Sequence, residues 1–420
     1  MSACRRWSLF ITTAMLICLA LSSGVSAKSV INVWVRSLEP DFATVVEQFQ
    51  KDNPDIEVAW ATVPGRTIAE INQKILTSLA TDTAPDVIGI SIDFAMQSQV
   101  NGYFIDLTPQ LSNKTGRYTF FQGLLDQGTA PDGRLICVPF WLSVPLVFWN
   151  GDMFAASGIN PSQGADTWDD LRLLAKKLTK TDGNTVTQYG LAGLWASTLT
   201  WFPALWSAGG DVFDANGQAL IRPGNEAAEW ALGLWQEFHV TDRTVHLSWQ
   251  SIFDGVSAMA LTGMSLVPQY QKLNPVWPLY GAVIPRHING EHKPYLGGDG
   301  WAIPRTSSAV DAAWRFIDYM SRPDIQREYM KAHGGSWING ASGIRESYTT
   351  DLFTTIPIWQ QIALSLQSAR LPQMAFMETG IDASLNKMLV NARNGANITQ
   401  ELQTFASLAE ARWKEVVASR

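Results

Sequence analysis

Between Val30 and Ile90 the chain reads strand, helix, strand, helix, strand, and no other feature restricts its fold as tightly. Val30 to Val35 is β-rich, after which Phe42, Val45, Val46 and Phe49 recur at helical spacing until Asn53-Pro54 breaks the pattern. Ile56 to Val63 supplies a second strand. Ile68, Ile71, Ile75 and Leu79 mark one face of a second helix, and Asp86 to Ile90 is a third strand. Strands separated by single helices pair in parallel through right-handed crossovers, with helices over both faces of the sheet. Ligands of such α/β sheets sit beyond the carboxyl ends of the strands. Here those ends are Arg36 to Glu39, Pro64 to Arg66 and Ser91 to Phe94.

What precedes this pattern reads as an export signal rather than part of the fold. Arg5 and Arg6 lead an apolar run from Leu9 to Leu21, and Val25-Ser26-Ala27 gives a small-residue site, so residues 1–27 are expected to be cleaved. The run is too short for a membrane span, which predicts a soluble periplasmic chain that does not itself span a membrane. Cys18 follows Ile17 rather than a small residue, so no lipid anchor is expected. Cleavage leaves Cys137 as the one cysteine, and stability must then come from core size rather than disulfides. About 390 residues suffice for two domains. The formal charge of −7 becomes −9 once Arg5 and Arg6 are removed, and no basic cluster interrupts it. Nucleic acid is therefore excluded as a partner.

Farther along, prolines interrupt an aromatic strand-like stretch at "VPFWLSVPLVFWN", Val138 to Asn150, which marks a crossover between domains. Thr167-Trp168-Asp169-Asp170 is a capping box whose helix continues through Leu171, Leu174 and Leu178. "WFPALWSAGGDVFD", Trp201 to Asp214, ends an aromatic helix in a glycine turn. Ser308 and Asp311 predict a second capping box, and Pro323 sits in the first turn of the following helix.

Catalytic signatures are scarce. There is no G-x-S-x-G, H-E-x-x-H or G-x-x-x-x-G-K-[ST] pattern, and Gly298-Asp299-Gly300 fails as a dinucleotide fingerprint because Ile303 holds the third glycine position. One mature cysteine and scattered histidines do not build a zinc site, so no metal, no cofactor and no catalytic residue is expected. Two well-placed carboxylates would still suffice for a glycosidase, which keeps a secreted carbohydrate-active enzyme as the rival reading.

Taken together, "VVEQFQKDNPDIEV", "APDVIGI", "GYFIDLTP", "GRLICVPFWLSVPLVFWNGDMFAASGI", "WSAGGDVFD", "GVSAMALTG" and "LGGDGWAIPR" resemble, in order and spacing, the extracellular solute-binding proteins of bacterial ABC sugar importers, the family that includes the maltose-binding proteins. The resemblance covers essentially the whole mature chain. It implies the two-lobed type II periplasmic-binding-protein fold, with a ligand cleft between lobes joined by a multi-strand hinge. Residues 28–139 plus 303–348 would form lobe one and 140–302 plus 349–420 lobe two. It further implies a monomeric receptor that captures a small-molecule carbohydrate and hands it to inner-membrane permease subunits. A sensory ligand-binding protein is the alternative, and an anionic sugar derivative or a solute of the glycerol phosphate type is the alternative ligand.

Sugars present ring faces and a rim of hydroxyls, which call for aromatic platforms and polar side chains. Gly298 and Gly300, beside Gly297, would let backbone amides approach the ligand, with Trp301 as stacking face. Asp299 would accept hydroxyl protons or fix the turn. Asp93 ends the third strand, as a ligand residue or a helix cap. Trp141 at the crossover and Trp206 before Gly209-Gly210 are placed to present aromatics or to fill the core. Glu39, Arg36 and Arg66 occupy strand-end loops, and two arginines in one cleft would suit a phosphate or sulfonate.

Overall fold

Alternation along the first strand sets the first layer. In the computed structural model, which describes residues 28–36, 42–65, 68–98, 101–114, 116, 118–194, 197–332, 341–348 and 357–418, strand β1 (Ser29–Val35) turns Ile31, Val33 and Val35 inward. The helix Phe42–Asp52 covers them with Phe42, Val45, Val46 and Phe49, all buried. Strand β2 (Ile56–Thr62) pairs in parallel with β1 over seven register positions, Ser29 opposite Ile56 through Val35 opposite Thr62. Strand β3 (Val87–Ser91) joins the other edge of β1, also in parallel, after the crossover helix Ile68–Ala80. The expected parallel sheet is present.

Two distant segments complete that sheet in antiparallel sense. Strand β4 (Val138–Ser143) pairs with β11 (Gly297–Ala302), and β11 pairs with β3, giving the order β2-β1-β3-β11-β4. The register thus carries the first sheet through Ser143 and back from Gly297, inside the span that the sequence reading assigns to the second lobe. Val144-Pro145 then switches the chain to a second sheet.

That sheet runs β10 (Leu279–Val283), β5 (Leu146–Asn150), β9 (Ser257–Thr262), β7 (Thr185–Ala192), β6 (Lys180–Asp182), with β8 (Val245–His246) beside β7. Every residue of β5 and β9 is buried, as expected of strands covered on both faces. Helices Trp168–Leu178, Thr198–Ser207, Glu226–Gln236, Asp382–Arg393 and Ile398–Ala418 surround a core containing Trp168, Trp201, Phe202 and Trp235. Thr167 and Asp170 form the predicted capping box. The second predicted box does not form: the helix Val310–Met320 starts from Ala309, whose amide is held by Ser307 Oγ, and it has no side-chain cap.

A shared cluster including Ile90, Leu142, Val144, Leu146, Phe148 and Ala260 runs between the sheets. Beside it, Gln97 Nε2 on the helix Ile92–Ser98 donates to the Met377 carbonyl on the helix Met374–Thr379 at 2.8 Å. Among the described residues, no helix is long and apolar enough to cross a membrane.

Candidate ligand cleft

The carboxyl ends of β1 and β3 open onto a cleft of about 400 Å³. Arg36 reaches it from the end of β1, Ser91 and Asp93 from the end of β3, and Asn72 from the crossover helix. Trp141 and Ser143 of β4 and Gly297 to Asp299 of β11 form a second wall; Tyr295 and Leu371 close it.

Strand β11 is shaped for this place by its glycines. Gly298 holds φ +136°, and a β-carbon there would lie 2.1 Å from the Trp141 carbonyl oxygen. At Gly300 a β-carbon would meet Cys137 Sγ at 2.4 Å. Both positions therefore require glycine so that β4 can approach. The register slips between Asp299 and Gly300, a bulge of the kind that re-aims a side chain. Asp299 Oδ1 accepts from Arg36 Nη1 at 2.7 Å, with the two side chains 28% and 17% exposed. Asp93 lies in the first turn of the helix Ile92–Ser98, its Oδ1 accepting from the Phe94 amide at 2.9 Å, and it lines the cleft.

Three polar atoms of lining residues are buried without a protein partner: Arg36 Nε, Asn72 Oδ1 and Trp301 Nε1. A buried polar atom left unpaired costs on the order of 1 to 3 kcal/mol, so a solute supplying hydroxyls would recover that loss. The carboxylates impose a negative field here. Burial pushes the Tyr295 phenol up, and Asp93 and Asp382 push it further. Burial also raises the Asp382 carboxyl, with Asp93 adding to it. The buried Cys137 thiol is raised by burial first, then by Asp299 and Asp93.

Of the residues singled out from sequence, Arg36, Asp93, Trp141, Gly298, Asp299 and Trp301 meet in this cleft. Three of the residues singled out from sequence are packed away from an open ligand face. Trp301 is only 1% exposed, packed against Phe140 at 4.8 Å and Phe316 at 5.6 Å between ring centroids, so it forms the cleft floor rather than an open stacking face. Gly300 is buried and its bare α-carbon faces Cys137 and Val138 of the β4 segment, not a ligand. Trp206 does not line the cleft; it is 4% exposed and lies nearly parallel to Phe202 at 4.9 Å and to Tyr295 at 6.1 Å. Arg370 covers it at 4.6 Å from the ring centroid and pairs with Asp211 at 2.8 Å. Glu39 and Arg66 lie outside the described residues.

Sequence reasoning did not single out the lining residues Tyr295, Asn72 and Ser143, and it named Ser91 only as the start of a strand-end stretch. Tyr295 carried a signal, an aromatic two residues before a glycine pair, whereas Asn72 looked like any polar residue in an amphipathic helix. Among the described residues, no group of three or more His, Cys, Asp or Glu side chains could hold a metal ion.

Two α/β sheets with polar and aromatic groups converging on a cleft at strand carboxyl ends define a solute-capturing receptor of the type II periplasmic-binding-protein fold. The chain belongs to the bacterial extracellular solute-binding protein family, whose model matches residues 37–327. Among solved structures, the sugar-binding protein MalE of Xanthomonas citri superimposes with a TM-score of 0.80 at 18% identity, covering 92% of this chain and 98% of that one. UgpB from Mycobacterium tuberculosis in complex with glycerophosphocholine superimposes with a TM-score of 0.76 at 17% identity, covering 93% and 99%. Both likenesses concern the fold. In sequence, a probable amino-acid ABC transporter periplasmic-binding protein of Sinorhizobium fredii is 25% identical over 215 residues, 47% of this chain and 46% of that protein. The sn-glycerol-3-phosphate-binding protein UgpB of Agrobacterium fabrum is 32% identical over 93 residues, 21% of this chain and 20% of the relative. These matches thus span half or less of the relatives' own lengths.

Proposed function

We propose that this protein is an exported, non-enzymatic receptor that captures a carbohydrate in the cleft between its two sheets and delivers it to an ABC importer. The observation that carries this reading is the pair of buried, unpartnered polar atoms Arg36 Nε and Asn72 Oδ1, on residues lining a cleft that also holds Trp141 and Tyr295. Hydroxyl groups donate and accept at once, so they can satisfy both the unpaired donor and the unpaired acceptor, while ring faces pack on the aromatics. Family membership and the MalE-like fold support the transport role.

The two lobes in this reading are built on the two sheets, meeting at Val144-Pro145 and in the segment between Ile284 and Leu296. A solute touching both walls binds the closed arrangement better than the open one, and that difference in affinity shifts the population toward closure. Inner-membrane permease subunits would read the closed surface, with the receptor acting as a monomer. The segment 1–27 would be the export signal, placing the mature chain in the periplasm.

A thermal-shift screen of sugars and polyols, followed by product analysis, tests the proposal. A rise of several degrees with one class and no turnover is expected. Product formation abolished by a single carboxylate replacement would establish an enzyme instead. The sn-glycerol-3-phosphate-binding relatives favour one second reading, a phosphate-bearing solute in the same cleft.

A further inference from the structure

The choice between a neutral and an anionic solute turns on one ion pair. Of the described residues lining the cleft, the charged ones are Arg36, Asp93 and Asp299, a formal balance of −1. The single cation among them is engaged: Arg36 Nη1 lies 2.7 Å from Asp299 Oδ1. Both carboxylates project into a partly buried site, and the neighbouring groups register their field. Burial raises the pKa of Tyr295, Asp382 and Cys137, and Asp93, Asp299 or both raise it further. Arg370, which approaches from the Tyr295 side, is also committed, to Asp211 at 2.8 Å and to the face of Trp206.

A phosphate or sulfonate needs donors that carry net positive charge, ideally a guanidinium whose fork is open. In this cleft one arm of the fork, Nη1, is held and its charge offset by a carboxylate on the bulged β11 strand, and a second carboxylate stands at the end of β3. Like charges brought together in such a site oppose binding strongly. Hydroxyls suffer no such penalty. They can donate to Asp93 and Asp299 and accept from Arg36 Nε without displacing the ion pair.

Resting on the carbohydrate reading above, we infer that the cleft takes an uncharged, hydroxyl-rich solute, and that Asp299 is its specificity-determining residue because it occupies the Arg36 guanidinium that an anionic group would need.

The test measures binding of matched pairs to the purified wild-type protein by calorimetry: glucose and glucose 6-phosphate, mannose and mannose 6-phosphate, glycerol and sn-glycerol 3-phosphate. The neutral member of any pair that binds should bind on the order of tenfold to hundredfold more tightly than its phosphate ester. Inorganic phosphate, compared with chloride at equal ionic strength, should leave the melting temperature of the wild type unchanged and raise that of Asp299→Asn, in which Arg36 is released. Adding Arg36→Gln to that variant should remove the gain. Phosphate esters binding the wild type as tightly as their neutral partners would overturn the charge assignment while leaving the receptor reading intact. Binding by no member of any pair would instead count against the carbohydrate reading and take this inference with it. The wild-type comparison decides the matter even if Asp299→Asn does not fold.

Discussion

Trp301 and Tyr295 sit six residues apart on either side of the same glycine run, yet they belong to opposite halves of the molecule. Trp301 points into the first core, where Phe42, Phe140 and Phe316 surround it and Gly89 leaves room for its ring. Tyr295 stacks on Trp206 and Phe202 of the second core while one part of it remains in the cleft. The first sheet accordingly supplies most of the charged and hydrogen-bonding groups of the site, and the second backs an aromatic wall. In the proposed reading recognition is divided: the charged groups and the Trp141 ring come from the first sheet and the Tyr295 ring from the other side, so neither lobe holds a complete site.

The largest expected effect separates core from cleft. Trp301→Ala should cost about 3 to 5 kcal/mol of stability, seen as a lowered midpoint in urea unfolding, because it empties a close-packed site. Affinity measured well below that midpoint should change far less; the opposite pattern would return Trp301 to the binding surface. Next, Arg36→Ala should weaken solute binding by on the order of 2 to 3 kcal/mol, because it removes a donor and deprives Asp299 of the ion pair at 2.7 Å. Calorimetry on the wild type and the variant checks this. Tyr295→Ala should lose about 1 to 2 kcal/mol of affinity with modest destabilisation, and it sharpens the comparison because the same change tests the aromatic wall alone. Unchanged affinity would place recognition wholly on the first sheet.

A smaller, pH-linked difference should distinguish the halves. His239 packs in the second half near Trp235 and contacts the Leu194 carbonyl at 2.9 Å, and burial lowers its pKa to about 4. The unfolded ring takes up a proton near its ordinary value of about 6.5. Between those values the unfolded state binds more protons, so stability contributed by the neutral ring is present above about pH 6.5 and is lost as pH falls towards 4. Replacing His239 by Gln should flatten that part of the melting-temperature profile.

Much of the fold was legible because its signals are local. Phe42, Val45, Val46 and Phe49 face inward as their spacing predicts, and Thr167 with Asp170 caps its helix. The sheet assignment of β4 and β11 was harder, since antiparallel pairing of Trp301 with Val138 and Gly89 joins residues that are far apart in the chain. For the site, strand-end position pointed to Arg36 and Asp93, and both line the cleft. Which tryptophan faces a solute was not legible: Trp141, Trp206 and Trp301 all stand beside glycine or proline-rich stretches, and only three-dimensional packing separates them. Gly300 shows the same limit, because a glycine needed for strand approach looks identical in sequence to one needed for a ligand.

The most direct test of the central claim is the melting temperature of the purified protein against a panel of neutral sugars and polyols, with the Arg36→Ala variant run in parallel. The account predicts a rise of several degrees with one carbohydrate class in the wild type and a much reduced rise in the variant. No rise with any member of the panel, or an equal rise in both proteins, would contradict it.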